Sequence, residues 1–420
     1  MDDLLAFPAK YDAAARATHG EFRFRSAPQR RAQFCQNVMQ SKNTAVSKAT
    51  THSSSSEATV RPLKVAIVGP SYRYVGGQSV QVDMLLRSWR NDQELQAYFV
   101  PADPEMPRLL RWATGIPFLR TLLRQPLYCR ILWKQLKTAD IAHVFSASYW
   151  SFLLAPAPAY WIARKLRKKV LIHYHSGEAP DHLRRSRVAR RILKSANCVV
   201  VPSGYLCAEF AKFGIQAKSI SNVIDTAEFA FRSRSPLRPH IICSRGFHPY
   251  YAVEDVVRAF SSIQAQYPAA VLYLLGSGPN EHGIRQLVSA LGLSNVKFTG
   301  PIPHARIAAY YDRADIFLNA SRLDNMPVSI LEAFASGTPV VTTAAGGIPW
   351  LVEHNRTGLT CEPGNWTVLA EYVLQLLRNP VLASQLAANA REELKKYQWE
   401  SVRKEWLAIY RSLVGYSISP

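Results

Sequence analysis

Within DNMPVSILEAFASGTPVV (324–341), two carboxylates, Asp324 and Glu332, stand eight positions apart with Pro327 between them. Pro327 is expected in the first turn of a helix, where its fixed φ and missing N–H cost nothing. The amides from Val328 to Ile330 then have no partner within the helix. Together with the helix dipole they favour an anion such as a diphosphate. Met326, Val328 and Ser329 are therefore candidate donor-binding positions. Carboxylates beside a phosphate site make chemical sense as acceptors for sugar and ribose hydroxyls. The plain alternatives are a solvated helix carboxylate at Glu332 and an ordinary N-terminal cap at Asp324.

Two further places carry possible chemistry. Gly76 and Gly77 open GGQSVQVDMLLRSW (76–89) directly after an apolar run and its loop. Small residues there would let backbone amides approach a phosphate, although paired glycines also mark simple turns. His175 lies in LIHYHSGEAPDH (171–182), just after another apolar run, where it either meets a ligand or is a polar loop residue. His173 competes with it, and would share its side only if the strand reached that far. His143, inside an apolar run, reads as a packing residue.

Positioning these groups requires strands that end where the residues begin. LKVAIVG (63–69) is a short β-branched apolar run ending in glycine, the pattern of a buried parallel strand. Strands are expected at 95–100, 141–145, 170–174, 198–201 and 219–223, with helical patterns between most of them. A break rich in Ser, Arg and Pro at 226–239 reads as a linker. A second series follows at 240–244, 271–275, 296–299, 315–319 and 339–342. This predicts an α/β protein with two doubly wound, Rossmann-like parallel sheets facing across a cleft, ligands lying beyond the carboxyl ends of the strands. The expected domains are 61–225 and 240–397. A closing helix over 398–420 would pack back toward the first domain.

The set of motifs resembles the retaining nucleotide-sugar glycosyltransferases of family 4 (group 1), which have the GT-B architecture. Their hallmark is a Glu, seven residues and a second Glu, followed by EAxAxGxPVV. VLYLLGSGP (271–279), VKFTGPIP (296–303) and GGIPWLVEHNRTGL (346–359) stand in the family's order and spacing. The resemblance runs from about Leu63 to Leu413. It implies that Glu332 holds the ribose hydroxyls, that Asp324 replaces the first Glu near the donor sugar, and that the backbone of Ile302 faces the nucleobase. It further implies that Gly76 and Gly77 approach the donor phosphates and that His175 stands near the sugar. In SRGFHPYYAVEDVVRAF (244–260), Arg245 matches a cation that clamps the diphosphate. The family's second cation, a Lys–Gly pair, is replaced by Tyr251 and Ala252, unless His248 or the basic domain supplies the charge. Transfer with retention, from a nucleotide-diphosphate sugar to a hydroxyl acceptor, is what the resemblance implies. Asp324, Glu332 and His175 are the catalytic candidates, and no cofactor or metal is expected.

The net charge of +21 is uneven: 15 basic and 14 acidic residues lie from residue 240 onward, leaving +20 on the first 239. Between Met106 and Ala139, Arg108, Arg111, Arg120, Arg124, Arg130, Lys134 and Lys137 alternate with Trp, Phe and Leu, with no acid. This composition suits an anionic membrane surface and a lipid-linked acceptor, a solvated basic face being the plain alternative. No nucleic-acid recognition motif accompanies the charge. Residues 1–60 read as a poorly ordered tail, rich in Ser and without periodicity. The six scattered cysteines suggest neither a zinc site nor a disulfide frame. Nothing resembles a signal peptide or membrane helix, so a cytoplasmic protein, peripheral on the inner membrane face, is expected. The rival readings are a nucleotide-sugar epimerase of the same architecture and a non-catalytic, glycosyltransferase-like scaffold.

Overall fold

The structure, a computed structural model, describes residues 61–71 and 76–415. The tail expected over 1–60 lies outside the described residues. The first apolar runs become β1 (Leu63–Gly69), β2 (Leu95–Pro101), β3 (Ile141–Ser146), β4 (Lys169–Tyr174), β5 (Cys198–Val201) and β6 (Lys218–Ser219). They form one sheet in the order β2-β1-β3-β4-β5-β6, every pairing parallel. The second series becomes β7 (His240–Ser244), β8 (Val271–Leu275), β9 (Val296–Gly300), β10 (Ile316–Leu318), β11 (Val340–Thr343) and β12 (Leu359–Cys361). Their order is β12-β11-β10-β7-β8-β9, again parallel throughout.

Both sheets reverse direction beside their first strand. In the first the switch lies between β1 and β3, in the second between β7 and β10. Crevices at such switch points are where open α/β sheets take ligands. Each switch opens at the carboxyl ends of its strands, where the candidate residues stand.

Two strand expectations change. The strand expected at 219–223 stops after Ser219, because the Gln81 side chain takes over the backbone of Val223. It accepts from the Val223 amide and donates to its carbonyl, each at 2.8 Å. Leu359–Cys361, not anticipated, extends the second sheet as β12 alongside β11. Pro327 is also corrected: it occupies the cap position in an extended conformation (φ −68°, ψ 118°), and the helix begins at Val328.

The segment 226–239 is held firmly to the second sheet. Arg232 and Arg238 donate to the buried carboxylate of Asp315 at 2.6–3.0 Å, while Arg234 donates to the carbonyls of Tyr311 and Ala314. Burial opposes the Asp315 charge, but the hydrogen bonds from Arg238 and Arg232 hold its pKa down at about 2. The final helix, Trp399–Val414, packs on the first sheet. Val402, Trp406 and Tyr410 share one apolar cluster with Val65, Ile67, Phe145 and Leu171. Arg403 pairs with Asp92 at 2.7 Å and with Glu94 at 2.9 Å on the same side.

His143 is a packing residue: fully buried, it bonds the Tyr410 hydroxyl through Nδ1 (2.7 Å) and His173 through Nε2 (3.2 Å). Burial pushes its pKa down to about 3, so it stays neutral. Trp406, lying over the His143 ring, is 1% exposed, so removing it leaves a large void. Trp406→Ala should lower unfolding free energy by about 3–5 kcal/mol. Denaturant unfolding followed by circular dichroism measures it.

Candidate active site

Arg245 directly follows β7 and Asp324 lies six residues beyond β10, so the two face each other across the second switch point. Their side chains form an ion pair in which each is only 9% exposed. A second guanidinium nitrogen of Arg245 donates to Ser329 Oγ at 3.2 Å, fastening the arginine to the start of helix Val328–Ala335. Its plane lies over the ring of Tyr251 at 3.9 Å, a cation–π contact. Where the family pattern has a second cation, this chain thus has the support for the first. Burial opposes the Arg245 charge, yet Asp324 and Tyr251 more than offset it and raise its pKa.

Asp324 is not a helix cap. Besides Arg245 it accepts from Ser321 Oγ (3.0 Å) and from the Asn325 amide (3.0 Å). Of the three amides expected to be unpaired, that of Ile330 donates to the Pro327 carbonyl at 3.1 Å. The anion-attracting end is therefore narrowed to Val328 and Ser329. Glycines make this crowding possible. Gly346 has φ +53°, and a Cβ there would collide with the Asp324 carbonyl. A Cβ on Gly276, in the GSGP motif, would strike the carbonyl of Arg245.

Glu332, 4% exposed, sits in the second turn of the same helix. Its Oε2 lies 2.9 Å from the Tyr311 hydroxyl, and its Oε1 lies 3.3 Å from Nε2 of His304. Tyr311 also contacts Ser244 Oγ at 2.6 Å, and burial raises its pKa well above the ordinary phenol value, so it remains a donor. Ile302, two residues beyond β9, turns its side chain onto the cluster containing Ile242, Leu275 and Phe334. Sequence reasoning missed His304, Tyr311 and the role of Tyr251. A His after Pro-Ile-Pro beyond a strand was the available signal, but its partners lie 76 residues upstream and 28 downstream.

The first sheet supplies the opposite wall. Gly76 caps helix Gly77–Ser88 with φ −172°, ordinary extended backbone, and a Cβ at Gly76 or Gly77 would meet nothing within 4 Å. Neither conformation nor packing therefore demands glycine here. His175 follows β4 and lies on the same side as His173, their ring centroids 4.0 Å apart. Its amide donates to the Ser146 carbonyl (3.0 Å), which also accepts from Gln78 (2.8 Å), so His175 and the glycine pair meet at the end of β3. Burial pushes the His175 pKa down to about 3, and its Nε2 is buried without a hydrogen-bond partner. It is a neutral imidazole with one nitrogen to offer.

The two walls touch around Asp324–Met326. Ser203 donates to Asn325, Asn222 donates to the Met326 carbonyl at 2.9 Å, and a Cβ on Gly177 would sit 3.3 Å from the Asp324 backbone. Val328 joins the first sheet's apolar cluster. Among the described residues no group of three or more His, Cys, Asp or Glu is arranged to hold a metal ion.

Two family models match. Residues 75–228 match Glycosyltransferase Family 4, and residues 225–393 match Glycosyl transferases group 1. The chain belongs to the group 1, family 4 glycosyltransferases. The N-acetyl-alpha-D-glucosaminyl L-malate synthase of Bacillus anthracis is 30% identical over 48% of this chain and 55% of its own length. A GDP-mannose-dependent alpha-(1-6)-phosphatidylinositol monomannoside mannosyltransferase of Mycobacterium tuberculosis is 28% identical over 51% of this chain and 62% of its own. The chain thus spans between about half and two thirds of the curated relatives it matches. HepE of Anabaena, solved in complex with UDP-glucose, is 19% identical with a TM-score of 0.68, covering 83% of this chain and all of that one. That likeness shows the GT-B fold, and neither the epimerase nor the scaffold reading is favoured.

Asp324→Ala should cost about 3–5 kcal/mol, because it strands a buried guanidinium charge. Inorganic pyrophosphate should recover part of that loss by restoring counter-charge. Thermal and denaturant unfolding of the variant, with and without pyrophosphate, measure both effects.

Proposed function

We infer that the chain transfers a sugar from a nucleotide-diphosphate donor to a hydroxyl acceptor, with retention. One observation carries this: a buried arginine, a helix start and two carboxylates converge at the second switch point, where Gly177, two residues beyond His175, packs against the Asp324 backbone. A diphosphate arriving at Val328 and Ser329 competes with Asp324 for Arg245. The exchange neutralises the phosphate and frees Asp324 to accept hydroxyls of the donor sugar. Glu332 holds the ribose diol, and the backbone at Ile302 meets the base. His175, neutral, hydrogen-bonds the sugar through Nε2, and Gly76–Gly77 bring amides to the phosphates.

In the transfer, the anomeric carbon–oxygen bond breaks and its electron pair leaves on the diphosphate. The acceptor oxygen bonds to the anomeric carbon on the same face. Arg245 and the helix start stabilise the charge that develops on the leaving group, the electrostatic contribution that dominates in sites of this kind. Glu332→Ala should lower donor affinity or turnover at least about tenfold, as expected for losing a hydrogen bond to a charged group. Nucleoside-diphosphate release across a panel of nucleotide sugars, with and without acceptor, tests both claims. Unchanged kinetics would remove Glu332 from the site.

The acceptor we propose is lipid-linked, or a polysaccharide, met at the inner face of the cell membrane. No described helix is long and apolar enough to cross a membrane. Leu109 is nonetheless 88% exposed and Leu122 70% exposed, with Trp112, Ile116 and Phe118 exposed nearby. They lie on Arg108–Gly115 and Pro117–Leu136 and, for Ile116, on the cap between them, amid the basic residues of that stretch. Anionic lipid attracts such residues by about 1 kcal/mol each near the surface. The protein should co-sediment with phosphatidylglycerol vesicles and not with phosphatidylcholine vesicles. Leu122→Glu combined with Trp112→Ala should reduce that binding severalfold. Equal binding to both vesicle types would exclude the surface.

A further inference from the structure

Glu332 is tethered to the rest of the molecule by His304. The imidazole is 10% exposed and stands between two carboxylates: Nδ1 is 3.2 Å from Oε2 of Glu228, and Nε2 is 3.3 Å from Oε1 of Glu332. The second contact is long and poorly aligned for a hydrogen bond, so in this state it is Coulombic. Glu228 is itself held by Arg87 at 3.0 Å, on the helix that Gly76 caps. The line Arg87–Glu228–His304–Glu332 therefore joins the first sheet's glycine helix to the second sheet's anion-binding helix. A carboxylate offers about four lone-pair directions. Tyr311, whose single proton also faces the Ser329 carbonyl at 2.9 Å, lies against Oε2 and His304 against Oε1, which leaves acceptor capacity on both oxygens for further donors.

We propose that His304 is a positioning residue, which as the cationic imidazolium orients the Glu332 carboxylate toward the vicinal diol of the nucleotide's ribose, with Glu228 fixing the ring. This rests on the donor-site reading above. A freely rotating carboxylate loses orientation and binding each time it turns, whereas one held by a hydroxyl donor on one oxygen and a facing positive charge on the other is restrained. Burial pushes the imidazole pKa down, but Glu332 and Glu228 outweigh it and Arg87 opposes them, for a net rise above 6.5. Behind those three stand Tyr311 against Glu332, Asp83 paired with Arg87, and Arg245 close to Tyr311. A raised pKa means the orienting charge is complete at acid pH and is lost as pH climbs through the raised value.

The test compares ribonucleotide with diol-less nucleotide. Binding of UDP, 2′,3′-dideoxy-UDP, GDP and 2′,3′-dideoxy-GDP is measured by calorimetry for wild type, His304→Ala, His304→Gln and Glu228→Gln. Wild type should prefer one ribonucleotide over its dideoxy form by at least about tenfold. That preference should fall as pH rises through the His304 titration. In His304→Ala the preference should collapse toward unity with dideoxy affinity unchanged. In His304→Gln it should be reduced and insensitive to pH, and in Glu228→Gln reduced. If His304→Ala does not fold, the pH response of His304→Gln decides. Full preference retained in the variants, or equal loss for both nucleotide forms, would overturn the positioning role. A wild type that binds these nucleotides without preference, or binds none, would instead overturn the donor-site reading beneath it.

Discussion

A guanidinium charge buried at the foot of a cleft constrains everything around it. Arg245 has left water, and the charge is tolerable because Asp324 compensates it, Ser329 accepts from it and the Tyr251 ring lies against it, while its Nε stays buried without a hydrogen-bond partner. Several otherwise separate features follow from that demand. Gly346 and Gly276 lack side chains so that the two loops can close on each other, and Ser321 restrains the carboxylate. The pair keeps a buried cation away from water at the switch point, and in the function proposed above a diphosphate takes the place of the carboxylate.

The same region is where the two sheets meet. Contacts from Ser203, Asn222 and Gly177 all fall on Asp324–Met326, and Val328 is packed among first-sheet residues. The final helix covers the first sheet at the chain's far end, sealed by apolar packing and by the Arg403 ion pairs. Chain connectivity thus fastens the halves at two places, the 226–239 segment and the approach to this helix. Closing the site and joining the sheets are consequently one packing problem.

Strand positions and the candidate loops were legible because parallel β-strands buried on both faces are short, β-branched and end at turns, a local signal. Leu63–Gly69, His240–Ser244 and Val271–Leu275 match to the residue. β6 was overestimated because Gln81, far away in sequence, satisfies backbone that a strand would otherwise have paired. Pro327 was displaced by one position, since its ring suits both the cap and the first turn. The place of Asp324 just ahead of a helix start was legible from its spacing to Pro327 and Glu332. Its pairing with Arg245 was not, because the two lie 79 residues apart and only the switch point brings them together.

By itself the sequence determined the alternation of strands and helices, the acidic pair flanking a helix start, the charge imbalance and the family pattern, all of which are written in residue type and short spacing. Tertiary structure alone decided which side chains neutralise one another. It paired Arg245 with Asp324, turned Tyr251 from an apparent loss of charge into a support, and placed His304 between Glu228 and Glu332. The physical reason is that the worth of a charge depends on its burial and on neighbours a few ångströms away, and folding chooses those neighbours across long stretches of chain.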